Sequence, residues 1–346
     1  MKNRKYFIIT ILFLVAFLSI FNYVGCGGGG GGSSAPAVSK AVDNYVWVAN
    51  AGSNTVTRIT KATAATPIEV GPTPPPGSYP GAVAVDETYC WVANSGNGLG
   101  NTATRITKST LATTDITVGT NPLGIAVDAT DCWVSNANDD TVTRIQKSDL
   151  SATTIAVGDI PYGIAVDAAY VWVVNYGDGS VTRFLKSNPA TRDTITTGAA
   201  RLYGIAVDET YCWVANYYGE SVIRITKSTL ATTVIAVGAR PFGVAVDATY
   251  VWVSSSIDGI GTVIRILKSN STTTEIAVGD GPLGIAVDAA YVWVANEQSG
   301  DVTRILKSNL STTTISELAI QQDGVDNNPV SLGDMTGYAF DNYSWR

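Results

Sequence analysis

The chain has 346 residues, with 22 Lys and Arg against 29 Asp and Glu, a net charge of −7, and no histidine at all. An acidic surface repels phosphate backbones, which argues against nucleic acid as a partner. Without imidazole there is no Ser-His-Asp or Cys-His catalysis, no usual nitrogen ligand for a metal and no pH switch near neutrality. Any chemistry would fall to carboxylates, Tyr, Lys or a bare thiol.

Met1 to Lys5 is basic, residues 6 to 23 are apolar, and Val24-Gly25-Cys26 follows at once. This is the layout of a secretory signal, and a Cys where cleavage would fall resembles a bacterial lipobox. Residues 27 to 34 are six glycines and two serines, a flexible tether with nothing to bury. The expectation is a signal peptide over 1–25, a lipidated Cys26 with its tether over 26–37, and a folded domain over 38–346. That domain is then extracytoplasmic and membrane-anchored through lipid, at an outer membrane or cell surface. An uncleaved transmembrane helix is the alternative.

From residue 38 onward one unit recurs seven times, and a tryptophan marks each copy: Trp47, Trp91, Trp133, Trp172, Trp213, Trp252 and Trp293. A period near forty with four β-like runs per period predicts a propeller blade. In the copy from Gly163 the runs are residues 163–167, 170–175, 181–185 and 193–198, divided by turn formers. The first two are apolar on consecutive residues, which implies burial on both faces between neighbouring blades. The fold class expected is therefore all-β, a seven-bladed propeller of four-stranded antiparallel blades, with eight blades as the alternative. The tail, residues 337–345, repeats the opening of a blade and ends on an eighth tryptophan, Trp345. It is expected to complete the first blade, whose own first strand is poor, and so to close the ring and remove its sheet edges. Cys90, Cys132 and Cys212 stand where other copies have Val171, Val251 and Val292, as buried small hydrophobes rather than disulfide partners.

The repeated pattern P-x-G-I-A-V-D, V-W-V-A-N, V-T-R-I and I-x-V-G resembles the YVTN and NHL-like β-propeller repeats and the related streptogramin-lyase propellers, over nearly all of the domain. The resemblance implies the propeller fold. It leaves function open, because such propellers host enzymes, binding modules and scaffolds. The lyases of the group use active-site histidine, which this chain does not have.

Comparing the internal copies separates construction from specialisation. Every copy carries an Asp ending its first strand (Asp43, Asp86, Asp128, Asp167, Asp208, Asp247, Asp288), an Arg in its third and a Lys three residues later. These are read as structural, the Asp accepting from its own turn and the Arg needing a carboxylate or carbonyl. A ring of carboxylates holding cations is the alternative weighed for the Asp series; no metal or cofactor is assigned.

Variation collects in the loops between strands two and three and between blades, which emerge on one face, where a rigid scaffold presents binding residues. The residue before each first-strand Gly forms an apolar collar at the channel mouth: Leu123, Tyr162, Tyr203, Phe242 and Leu283. Around it stand Tyr176, Tyr217, Tyr218, Arg201 and Arg240, with many acids, among them Asp139, Asp140, Asp159, Asp178, Glu297 and Asp301. Tyr and Arg over a polar rim suit a protein or glycan partner, although the same aromatics could simply plug the channel. The expectation is a monomeric, non-enzymatic binding or scaffold module. The alternative is a lyase-like or carboxylate-based enzyme, with Asp139-Asp140 the adjacent acid pair of the blade loops.

Overall fold

The computed structural model of the chain describes residues 9–11, 45–51, 54–60, 65–71, 79–238, 240–257 and 260–315. Cys26, the Gly/Ser tether, most of the Pro-rich loop after Gly71 and the tail 337–345 lie outside them. The described strands form seven four-stranded sheets, each running in sequence order from its innermost to its outermost strand. The innermost strands pack on one another in succession, and the last blade's on the first blade's, so the sheets close into a propeller.

The blade read above from Gly163 consists of Pro161–Val166, Tyr170–Asn175, Ser180–Leu185 and Arg192–Thr196, all antiparallel. The inner two strands are buried almost throughout, while the outermost is exposed at most positions. In the first blade the inner place beside Tyr45–Asn50 is held by Ile9–Ile11, with Ile9 opposite Asn50 and Ile11 opposite Val48. The sequence assigns this place to the tail. The physical reason is common to both candidates: the first copy has no apolar inner strand of its own, and the open edge of Tyr45–Asn50 pairs with an apolar β-forming segment.

The core is a set of interfaces between blades rather than one centre. Trp172, Val174, Val181 and Ile195 of the fourth blade pack on Ile205, Val207, Cys212, Val214 and Ile223 of the fifth. Along the second strand, Trp172 and Val174 thus face the next blade, while Val171 and Val173 face the third blade. Six of the seven repeat tryptophans are wholly buried, and Trp293 is 2% exposed. Each contributes about 4–6 kcal/mol of gross transfer free energy, before chain entropy is counted. Cys90, Cys132 and Cys212 are free, buried thiols, as their exchange with Val predicts.

A bulge opens each described inner strand of the second to seventh blades. In the fourth, Pro161 lies opposite Asn175 but Ile164 opposite Val173, so Tyr162 and Gly163 together face one residue. A bulge bends the strand and re-aims its side chains, and here it sits at the collar residue. The glycine that follows is required by the next blade. A Cβ on Gly163 would lie 2.3 Å from the Tyr203 carbonyl oxygen, and one on Gly204 2.4 Å from that of Phe242.

Gly163→Ala should therefore destabilise the fold by about 1–3 kcal/mol, as overpacking does. Gly81→Ala, whose new Cβ would meet nothing nearer than 3.8 Å, should stay within about 0.5 kcal/mol of wild type. Denaturant unfolding of the two variants checks this; equal losses would remove the steric explanation of the repeated glycine.

Candidate functional site

The two variable loop sets lie together and hydrogen-bond to each other. The Tyr176 N–H donates to the Ile160 carbonyl at 2.9 Å, Ala137 to Asn121 at 2.9 Å, and Glu297 to Gly281 at 2.8 Å. One end of the propeller thus carries the collar and its surrounding loops.

At its centre the collar aromatics converge. Tyr203 is the hub, with ring centroids 4.6 Å from Phe242, 5.1 Å from Tyr162, 5.2 Å from Tyr176 and 5.3 Å from Tyr217. Tyr162 also reaches Phe242, two blades away, at 6.1 Å. Tyr203 is 5% exposed. Burial, then the neighbouring phenols of Tyr162 and Tyr176, push its hydroxyl well above the ordinary range. These three collar residues pack as a plug, the packing role weighed for them above. Leu123 and Leu283 are half-buried in the same ring but outside this aromatic cluster.

Outside the plug lies a more open ledge. Tyr218 is 56% exposed, its ring 5.1 Å from that of Tyr217. The Arg201 guanidinium lies 5.0 Å from the Tyr218 centroid and 5.8 Å from that of Tyr176, and donates to the Tyr218 hydroxyl at 2.9 Å. Arg240 stands 5.9 Å from the Tyr217 centroid. The structure therefore brings Tyr176, Tyr217, Tyr218, Arg201 and Arg240 into one array beside the collar.

The loop acids mostly accept from backbone N–H groups of the loops, either across to the neighbouring inter-blade loop or within their own turn. Asp139 accepts from the Thr120 N–H at 2.6 Å, Asp140 from Ile160 at 2.9 Å and Asp178 from Ser180 at 3.0 Å. Asp301, counted above as a rim acid, is 9% exposed and accepts from Asn296 Nδ2 at 2.6 Å. Glu297 occupies the place that holds Tyr176 and Tyr217 in other blades, and burial raises its carboxyl to about 7.

The recurrent residues occupy the opposite end and the blade interfaces. In each described copy from the second onward, one Asp oxygen accepts from backbone N–H groups of its own turn and the other from its own tryptophan. Asp167 accepts from Ala169 at 2.9 Å, Tyr170 at 2.8 Å and Trp172 Nε1 at 2.9 Å. The lysine of the next blade completes the site: Lys147 on Asp86 at 2.6 Å, Lys186 on Asp128 at 2.8 Å, Lys227 on Asp167 at 2.7 Å, Lys268 on Asp208 at 2.7 Å and Lys307 on Asp247 at 2.9 Å. Burial raises the Asp128 carboxyl, but the hydrogen bond from Lys186 and the N–H donors of Thr130 and Asp131 outweigh it, leaving the group lowered to about 2. With donors and an ammonium already in place, these oxygens are structural rather than cation ligands. Among the described residues no cluster of three or more His, Cys, Asp or Glu is arranged to hold a metal.

The arginine series uses a partner that the sequence does not announce. Arg58, Arg183, Arg265 and Arg304 stack 4.4, 4.5, 4.5 and 4.7 Å from the centroids of Tyr45, Tyr170, Tyr250 and Tyr291, two residues before each tryptophan. The third blade carries Asp131 in place of that tyrosine, and there Arg144 makes a two-pronged bond to it, Nε and Nη2 each at 2.9 Å. The signal was present as an aromatic in every other copy, but strand spacing alone does not distinguish stacking from ion pairing.

Comparison with solved structures gives β-propellers. A catalytically inactive histidine-to-alanine variant of virginiamycin B lyase from Staphylococcus aureus, with quinupristin, aligns at TM-score 0.65 and 20% identity, over 74% of this chain and 89% of that one. A second streptogramin B lyase aligns at TM-score 0.65 and 19% identity, over 74% and 88%. PorZ, a surface component of the type-IX secretion system of Porphyromonas gingivalis, aligns at 0.58 and 10%, over 79% and 36%. No protein-family profile matches the chain, and no curated protein matches it in sequence. The likeness is one of fold.

The Asp–Lys clasps set an acid limit. Their carboxylates are lowered from 3.8, so the stabilisation is complete above that value and is lost as pH falls towards about 2. Lys186→Met should cost about 1.5–3 kcal/mol at pH 7 and less at pH 2, where Asp128, lowered to about 2, is about half protonated. Denaturant midpoints at the two pH values measure both; a pH-independent cost would deny the clasp.

Proposed function

We propose that the chain is a lipid-anchored, extracytoplasmic propeller that acts as a non-enzymatic binding module, offering its tyrosine–arginine ledge to a protein or glycan partner. The observation that carries this reading is the contrast on the variable end. Tyr162, Tyr203 and Phe242 pack on one another across three blades, while Tyr218 and Arg240 are exposed and Arg201 is half-buried beside them. Exposed Tyr and Arg on a rigid frame are the residues that dominate recognition surfaces.

The enzyme alternative finds less support. The lyase neighbour is inactive when a histidine is replaced by alanine, and this chain has no histidine. Asp139 and Asp140 bond to different loops, Thr120 and Ile160, instead of converging on one point as paired acids must. Anchoring rests on Cys26 and the glycine tether, which would set the propeller clear of the membrane as a monomer. Processing at Cys26 would remove Ile9–Ile11, and the inner place beside Tyr45–Asn50 would then fall to the tail, the segment the sequence assigns to it.

Two measurements test the reading. Labelled fatty acid should enter the wild type and be lost in Cys26→Ser; retained labelling would remove the anchor. In pull-downs from envelope extract, Tyr176→Ala/Tyr217→Ala/Tyr218→Ala should lose at least about tenfold of the captured partner while keeping its melting behaviour, as expected when hot-spot side chains are removed. Undiminished capture by that folded variant would move the binding face elsewhere.

A further inference from the structure

Arg201 and Arg240 hold the same place in successive blades, Arg201 directly before the inner strand Leu202–Val207 and Arg240 as the first residue of the inner strand Arg240–Val246. Each lies over a tyrosine of the preceding blade at the fourth position after its tryptophan: Arg201 over Tyr176, Arg240 over Tyr217. The arrangement is thus a repeated unit, arginine on tyrosine, present in two adjacent blades. Elsewhere the same place carries Tyr79, Asn121, Ile160 or Gly281.

Among the described residues neither arginine has a carboxylate at ion-pair distance, as Arg144 and Arg183 of the third-strand series do. Arg201 adopts φ +60°, a left-handed conformation that belongs to this place in the fold, since Tyr79, Asn121, Ile160 and Gly281 hold it at the equivalent positions of other blades. Two guanidiniums without counter-charges, on an otherwise acidic protein, make a local site of opposite sign to the rest of the surface.

Resting on the binding-module reading above, we infer that this twin arginine–tyrosine ledge recognises a carboxylate-bearing glycan, an acidic polysaccharide of uronate type. A guanidinium offers a planar fork that matches a carboxylate, and the exposed Tyr218 ring offers a flat face with a polar edge to a sugar. A saccharide is favoured over an acidic peptide because Tyr162, Tyr203 and Phe242 are packed against one another. What the ledge presents is the exposed, polar-edged ring of Tyr218, a surface for a flat sugar ring more than for an apolar side-chain anchor. The repeat of the unit from one blade to the next gives two equivalent contacts for a polymer whose charges also repeat.

The experiment is binding of the full chain, in detergent, to polygalacturonate, to its fully methyl-esterified form and to polyglutamate. Wild type should bind polygalacturonate, the esterified polymer and polyglutamate at least about tenfold more weakly, and binding should weaken with added salt. Arg201→Gln and Arg240→Gln should each lose about tenfold or more, the size of one charge-assisted contact, with unchanged melting. Arg201→Lys should recover part of the loss. Equal binding of the esterified polymer, tighter binding of polyglutamate, or arginine variants that bind as wild type would each overturn the proposal. If polygalacturonate fails to bind while the triple tyrosine variant still loses its envelope partner, the acidic-glycan ligand falls and the binding module stands. If neither occurs, both fall.

Discussion

The structure depends on one carboxylate repeated around the ring. In the second to sixth blades the Asp at the end of the inner strand closes its own turn through one oxygen and holds its own tryptophan through the other, and it takes the lysine of the following blade, as Asp167 does. The first bond is local, the second fixes the tryptophan indole within the blade, and the third crosses to the neighbour. A single side chain thereby links turn, core and blade interface, which is why Asp, Trp and Lys recur together in every copy. The carboxylate stays ionised despite its burial because the ammonium and N–H donors outweigh desolvation.

The other constant features answer the problem of packing flat sheets around a narrow centre. Inner strands approach so closely that the first-strand glycine faces the next blade's collar carbonyl. In the third and sixth blades Ser135 and Ser254 exploit the same closeness, each donating a 2.6 Å hydrogen bond to that carbonyl, of Tyr162 and Leu283 respectively. Near the far end of the second strand a buried Asn reaches Thr on the third, as Asn50 to Thr57 at 2.7 Å and Asn175 to Thr182 at 2.8 Å. The sixth blade replaces both, with Ser255 and Ile264, and there the Ser255 hydroxyl is buried without a partner. Its second and third strands are also longer, Tyr250–Ile257 and Ile260–Leu267. Extra ladder hydrogen bonds accompany the loss of the internal one.

Much of this was legible in the chain because a repeat protein supplies its own comparisons. Spacing of tryptophans set the blade count, consecutive apolar residues marked the doubly buried strands, and Cys212 in a valine position marked a core thiol. What stayed hidden lies between blades, across some forty residues of sequence. The lysine was visible as a constant, but not that it reaches back to the preceding Asp. Arg183 was read as needing a carbonyl or carboxylate and has both, the Lys227 carbonyl and Asp193, as well as the ring of Tyr170. Most of the series rests chiefly on the tyrosine, a preference that only the angle between strands decides. The pairing of Ile9–Ile11 with the first blade was equally out of reach, since an open strand edge selects by shape and backbone, not by repeat signature. The two variable loop sets do lie together, while the separation of an aromatic cluster from a ledge is a matter of packing between blades that spacing does not report.

That division follows from where the constraints end. The clasp of Asp, Trp and Lys secures one end of every blade and the glycine approach secures the centre, so the loops at the other end are released from building the ring. Some of that freedom is spent on packing, with Tyr203 buried against four other rings. The remainder is not explained by packing. Arg201 lays a charge without a carboxylate partner across two tyrosines, and Arg240 repeats the placement one blade on. Neither arginine belongs to the set of residues repeated in every copy. Their coincidence at one edge of the mouth is the feature of this propeller that a purely structural role does not account for.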